Sequence, residues 1–380
     1  MEMKKYKLND VCLKITDGSH FSPKAVDFGY PMYSVKDMNE FGFNDSDYKM
    51  ISEDDFKSLV AAGCRPQKDD VLIAKDGSYL KYAFVCKEEK DEVILSSIAI
   101  LRPNKDIIDP TFFSFLLRNP SVKKSMKYYV SGTALPRIVL DNFKKMEINI
   151  PGLSEQKKIG DMLSTLDKRI ENLRAQNRVL EQTAKTIYDY TFLQCAGHQT
   201  TYNKTLNRNI PEDWEVKKLG DLLTIKNGKD HKHLKDGPFA VYGSGGLMRK
   251  VDSFLYDGES VLIPRKGTLN NVMYVDEKFW TVDTMFYTVM NKPYYGKYVY
   301  YSVKDIDFMA RNSGTGVPSM TSGYLNTISI ILPDTQTLEN FNNQVTPLFK
   351  KVQLNAQQIE TLTTQRNTLL PLLMTGQIEV

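Results

Sequence analysis

Cysteine is scarce in this chain. The 380 residues include four (Cys12, Cys64, Cys86, Cys195), far apart and without paired spacing. That argues against a disulfide framework and for reduced, partly buried thiols in a cytoplasmic protein. No apolar run approaches the roughly 18–20 residues that a membrane span needs. The opening segment MEMKKYKLND is charged but has no apolar stretch behind it, so it does not read as a signal peptide. No Gly-Lys-Ser/Thr phosphate-binding loop is present, which excludes an ATP-driven motor. Histidine numbers four. His231 and His233 have the spacing of a ligand pair but no Cys or third His near them, so no metal site is expected.

What the chain does have is a message written twice. Ser131-Gly132-Thr133-Ala134-Leu135-Pro136 is followed by Ile150-Pro151 and a long apolar heptad; Ser313-Gly314-Thr315-Gly316-Val317-Pro318 is followed by Leu332-Pro333 and another. Ser131 to Ser313, Pro136 to Pro318 and Pro151 to Pro333 are each 182 residues. A solenoid unit recurs every ~20–50 residues, so this is a duplicated domain. The modules have drifted further. Leu8-Asn9-Asp10-Val11 matches Leu219-Gly220-Asp221-Leu222, and Val71-Leu72-Ile73 with Gly77 matches Val261-Leu262-Ile263 with Gly267. Two copies of one module suit a pseudo-two-fold object such as duplex DNA.

The order along the chain is module, helix, module, helix. Residues 1–150 read as a mixed domain with strands near 70–74, 82–86 and 93–101, and a helix over 110–129 opened by Asp109-Pro110. A spacer helix occupies 151–194. Its apolar positions Ile159, Leu163, Leu166, Ile170, Leu173, Leu180, Ala184 and Ile187 keep a 4-3 spacing with Asn177 as the polar member, the pattern of a coiled-coil seam. The second domain spans 195–332, with a polar linker at 195–208 and strands at 260–263 and 281–290. The second spacer helix lies in 333–380, with Leu338, Phe341, Val345, Leu348, Val352, Ile359, Leu362 and Leu369 apolar and Asn355 and Arg366 polar. Pro347 inside it predicts a kink or a separate start, and Gly376 a stop.

The small net charge of +4 conceals segregation. Residues 118–145 hold Arg118, Lys123, Lys124, Lys127, Arg137, Lys144 and Lys145 against Asp141 alone. Residues 217–250 hold Lys217, Lys218, Lys226, Lys229, Lys232, Lys235, Arg249 and Lys250 against three acids, while 37–55 holds seven acids against Lys49. Such runs can form basic faces for phosphates, and they are equally the usual make-up of solvated surface.

The chain resembles the specificity (S) subunit of type I DNA restriction–modification systems. The resemblance rests on Ile210-Pro211-Glu212-Asp213-Trp214-Glu215-Val216-Lys217-Lys218-Leu219-Gly220-Asp221, Tyr242-Gly243-Ser244-Gly245-Gly246, Ile263-Pro264-Arg265-Lys266-Gly267-Thr268, Thr281-Val282-Asp283-Thr284 and Leu369-Leu370-Pro371-Leu372-Leu373-Met374-Thr375-Gly376, in this order and with the duplication. The first module departs from it, with Lys75-Asp76-Gly77 where the second has Arg265-Lys266-Gly267, and without the Trp-containing entry segment. The resemblance implies an α+β fold of two target-recognition domains separated by two long antiparallel coiled-coil helices in a pseudo-two-fold arrangement. It also implies a non-catalytic subunit with no cofactor of its own, joined to two methyltransferase subunits that methylate adenine N6. In most such systems a restriction/translocase subunit joins as well. Double-stranded DNA would be read as a split sequence, one half by each domain.

Three features per module are candidates for DNA contact. The basic-Gly hairpins, Lys75, Gly77 and Ser78 in one module and Arg265, Lys266, Gly267 and Thr268 in the other, could reach phosphate or the O6/N7 edge of guanine; they would also make ordinary exposed hairpins. Ser131, Gly132 and Thr133, and Ser313, Gly314 and Thr315, could hold phosphate on backbone N–H groups or simply turn the chain into the long helix. Arg137 follows the first of these loops. Lys226, Lys229 and Lys232 form a basic loop. Two helices of roughly 42 Å at 1.5 Å per residue would suit half-sites ~34 Å apart, with Asn177 and Asn355 setting the register across the seam. Two other readings compete. An adenine methyltransferase would need an Asn/Asp-Pro-Pro-aromatic motif, which is absent. A coiled-coil adaptor without DNA readout would leave the basic clusters and the duplication without a purpose.

Overall fold

The computed structural model describes residues 2–76, 80–131, 137–195, 197–311 and 318–379, with backbone alone at Val130, Ser131 and Arg137. The chain divides into two compact units. One is Met1–Ala175 with Asn355–Val380, the other Gln176–Leu354. Each therefore holds one mixed module and a share of both long helices.

In the first unit an antiparallel sheet runs in the order Cys12–Asp17, Ile98–Pro103, Val71–Ala74, Ala83–Val85. Val71–Ala74 is buried throughout because both of its faces are covered. Strand alternation sends Val71 and Ile73 to a core shared with Phe112, Phe113, Ile159, Leu163, Leu370 and Leu373. Leu72 and Ala74 go to a second core with Tyr33, Met38 and Phe84. The second unit repeats the plan: Leu223–Asn227, Met285–Met290, Tyr256–Pro264 and Met273–Thr281 stand in the same order, extended by Phe239–Gly243 and Gly246–Val251. Val261 and Ile263 face one core and Leu262 the other. Lys4–Lys7 pairs with Glu147–Ile150 as Glu215–Lys218 pairs with Ser329–Leu332.

Three expectations are corrected. The helix over 110–129 is two helices, Pro110–Arg118 and Pro120–Met126. Pro120 lacks an N–H and disfavours helical backbone at Asn119, whose side chain instead caps Ser121 N at 2.9 Å. The polar segment 195–208 is not a plain linker; Thr200–Asn203 and Arg208–Pro211 form a hairpin. The strands predicted over 93–101 and 281–290 are both interrupted. Val93–Ile94 and Ile98–Pro103 flank one turn, Met273–Thr281 and Met285–Met290 the other.

The first long helix is Leu153–Tyr188, continued by a π turn, Asp189–Leu193. Arg208 Nη2 donates to the freed carbonyl of Phe192 at 3.0 Å. The second is Thr335–Met374, unbroken at Pro347. Pro347 and Asn343, whose carbonyl Pro347 leaves without a donor, are both exposed, so the break in the ladder lies on the solvent face of the helix. Within the first unit Ile159 and Leu163 pack in one cluster with Leu370, Leu373 and Met374, while Asp167 meets Arg366. Within the second, Ala184, Tyr188 and Phe192 share a core with Val345, Phe341 and Leu338, and Asn177 donates to the Val352 carbonyl at 3.4 Å. In each unit one helix ascends as the other descends, so the shares are antiparallel. Asn355, in the first unit, is fully buried.

Burial shapes the alkaline behaviour. It pushes the Cys12 thiol up to about 12 from its ordinary 9.0. Burial, with the nearby Glu92 charge second, pushes the Tyr33 hydroxyl up to about 12 from 10.0. The unfolded chain gives up these protons first, so their contribution is complete below pH 9 and is lost as pH rises from 9 towards 12. The melting temperature is expected to fall between roughly pH 9 and 11, while Cys12 resists iodoacetamide at pH 8 in the native protein only. A flat alkaline profile with rapid Cys12 labelling would contradict this.

Candidate nucleic-acid interface

In the second module, backbone hydrogen bonds gather five loops at one corner. Arg265 N and Lys266 N both donate to Thr284 O, at 2.8 and 3.2 Å, and Arg265 O accepts from Met320 N at 2.8 Å. Gly267 N donates to Pro318 O, Gly228 N to Met285 O, Lys229 N to Thr281 O and Val282 N to Tyr242 O. Two glycines make the approach possible. A Cβ on Gly228 would sit 2.0 Å from Val282 O, and Gly267 has φ +87°. Trp280 Nε1 fixes the loop by donating to Lys229 O at 2.9 Å.

The corner is cationic. Lys226, Lys229, Lys232, Arg265, Lys266 and Thr268 are all exposed. Not every basic residue of 217–250 is free for a ligand. Arg249 Nη2 donates to Leu234 O at 2.5 Å, tying down the loop, and Lys217 pairs with Glu215. Among the candidates, Ser313, Gly314 and Thr315 lie outside the described residues.

The first module repeats six of these seven bonds; the counterpart of the Gly267 bond falls on Gly77 and Pro136, outside the described residues. Lys75 N and Asp76 N both donate to Ser97 O, at 2.9 and 3.3 Å, and Lys75 O accepts from Ile138 N. Gly18 N donates to Ile98 O, Ser19 N to Ile94 O and Leu95 N to Tyr33 O. A Cβ on Gly18 would lie 2.1 Å from Ile94 O. Lys75 thus stands where Arg265 stands, Asp76 where Lys266 does, and Asp17-Gly18 where Asn227-Gly228 does. The turns that interrupt the two strands are this corner, because Ser97 and Thr284 turn their carbonyls to the hairpins.

The chemistry of the two corners differs, and here the structure corrects the sequence reading. Lys75 is not an exposed hairpin cation. It is buried, with Nζ 2.7 Å from Asp17 Oδ2, and both side chains are about a tenth exposed or less. Asp76 is half-buried, and its Oδ1 is enclosed without a hydrogen-bond partner. Gly77, Ser78, Gly132 and Thr133 lie outside the described residues; Ser131 and Arg137 are seen as backbone, paired with each other. The basic run 118–145 is also reduced. Arg118 is held by Asp167 and Glu40 at 2.6 and 3.3 Å, leaving Lys124 and Lys127, beside Tyr128, and Lys145 exposed. Glu40, from the acidic run, faces inward to Arg118, Arg174 and Arg366.

Sequence reasoning missed the Gly18 and Gly228 corner. Its signal was Asp-Gly and Asn-Gly at the end of each module's first sheet strand. The offset of 210 residues from Gly18 to Gly228 differs from the 190 between Gly77 and Gly267 and the 182 between the Ser-Gly-Thr loops, which hid the correspondence.

The fold and the corner define a class: a duplicated mixed α/β recognition module carried on two long helices. The sequence model of the type I restriction modification DNA specificity domain matches residues 1–182 and 211–364. The chain is 27% identical over 308 residues to the type I restriction enzyme MjaIX specificity subunit of Methanocaldococcus jannaschii, covering 73% of this chain and 71% of that one. It is 23% identical over 400 residues to the putative MjaX specificity subunit of the same organism, covering 98% and 93%. In fold it is similar to the S subunit of a type I restriction–modification system from M. genitalium, with TM-score 0.65 at 17% identity, covering 98% of this chain and 96% of the other. This chain belongs to the family of type I restriction–modification specificity subunits. Among the described residues no helix is long and apolar enough to cross a membrane.

Proposed function

We propose that this chain reads a two-part sequence in double-stranded DNA and directs adenine N6 methylation by two methyltransferase subunits, itself performing no chemistry. The observation that carries the reading is the repeated corner: two modules bring equivalent loops together by the same backbone bonds. Such a frame holds a hairpin rigidly while its side chains vary, which sequence readout from base edges requires. Residues 1–150 and 209–332 are the reading domains, with the long helices as spacers. Lys226, Lys229, Lys232, Arg265, Lys266 and Thr268 contact the duplex in the second half. Lys75 serves its module from beneath, as partner to Asp17. A restriction/translocase subunit joining the same complex would add cleavage.

The test is co-expression with the cognate methyltransferase subunit and mapping of N6-methyladenine across host DNA. A split motif, methylated on both strands and lost without this chain, is expected. Retention of the complex on DNA should weaken steeply with salt. Chain-independent methylation from an active complex, with no DNA retention, would favour the coiled-coil adaptor.

A further inference from the structure

We propose that the two modules read opposite hydrogen-bonding patterns: the second presents donors, Arg265 and Lys266, to an acceptor edge such as guanine's, and the first presents the Asp76 carboxylate to an exocyclic base amine. This deepens the DNA-reading function proposed above and rests on it. The equivalence of positions is set by the main chain, not by sequence alignment. Thr284 O accepts from Arg265 N and Lys266 N, and Ser97 O accepts from Lys75 N and Asp76 N. The same platform thus offers two consecutive side chains in each module.

Their chemistry is inverted. In the second module both are exposed cations, and the residue at the neighbouring strand end is the uncharged Asn227. In the first module that strand end is Asp17, which binds Lys75 Nζ at 2.7 Å and takes the first cation out of play. His20 Nε2 lies 3.5 Å from the same carboxylate. The second position is Asp76, partly exposed as a residue; its Oδ1 is enclosed and unpartnered, so the base amine would be met by the other carboxylate oxygen. Guanine offers O6 and N7 as acceptors in the major groove, the partners of Arg and Lys. Cytosine N4 and adenine N6 are amines, and carboxylates accept from cytosine N4. A carboxylate also repels phosphate, so the first corner gains little from non-specific contact and depends on the base it meets.

The test is the methylation map of the complete complex carrying Asp76→Ala, Asp76→Asn or the double variant Arg265→Ala with Lys266→Ala. The native complex is expected to require one defined base pair in one half-site, read through its cytosine N4 or adenine N6 amine, and a G·C pair at one position of the other. Asp76→Ala should relax the amine position alone, with discrimination falling about tenfold. The double variant should relax the guanine position alone. Asp76→Asn keeps the size and removes the charge, so it guards against a folding defect; it should change base preference at that same position while the other half-site stays intact. Native-like motifs from both Asp76 variants, or relaxation in the half-site that the Arg265 and Lys266 double variant relaxes, would overturn the inference and leave the DNA-reading function standing. Absence of any chain-dependent methylation in the native complex would overturn both.

Discussion

Replacing Arg366 by alanine is expected to lower the stability of the first unit by about 3 kcal/mol, because it removes one partner from a buried ionic network. Arg366 looks like a flaw in the second heptad, a charge at an apolar position. In the structure its Nη1 lies 2.7 Å from Asp167 Oδ1 and 2.5 Å from Glu40 Oε1, with the side chain 5% exposed. Arg118 reaches both carboxylates from the end of helix Pro110–Arg118, and Arg174 reaches Glu40 at 3.4 Å. The network therefore joins both long helices to a loop of the module. Without Arg366, Asp167 stays largely out of water and Glu40 partly so, each with less compensation. For a unit of this size the cost corresponds to a fall of about 6–12 °C in melting temperature. A change near zero would show that water already screens the group.

Gly228→Ala is expected to be nearly as damaging, at about 3 kcal/mol, through overpacking against main chain. The added Cβ would lie 2.0 Å from Val282 O and 2.6 Å from Thr281 O. Neither atom can swing aside as a side-chain tip can, so the loop must lift. That breaks the bonds from Gly228 N and Lys229 N and displaces the Trp280 contact to Lys229 O. Lys229 and Lys232 ride on this loop, so methylation at the half-site of the second module should fall together with stability. Gly245→Ala is the control, since a Cβ there meets nothing within 4 Å; it should leave both unchanged. Equal behaviour of the two variants would mean that the loop is not held as described.

The duplication, the two long helices and the family were legible in the sequence because they depend on local pattern. Heptad spacing follows from helix geometry, and a repeat survives wherever the scaffold constrains it. Buried runs such as Val71-Leu72-Ile73 and Val261-Leu262-Ile263 announced the central strands of both sheets for the same reason. Charge was a poorer guide. Lys75 and Arg118 counted as surface cations in the chain, yet each is consumed by a carboxylate distant in sequence, Asp17 for one and Asp167 for the other.

The sequence by itself determined what repeats and what is helical, since those are properties of neighbours along the chain. Only the tertiary structure decided which side chains at the repeated corner stay available. It did so because hydrogen bonds between remote loops set Asp76 and Lys266 at equivalent places, each within its own module. An ion pair spanning residues 17 and 75, with the uncharged Asn227 and Arg265 at the equivalent positions of the other module, decides which of two cations remains to meet a ligand.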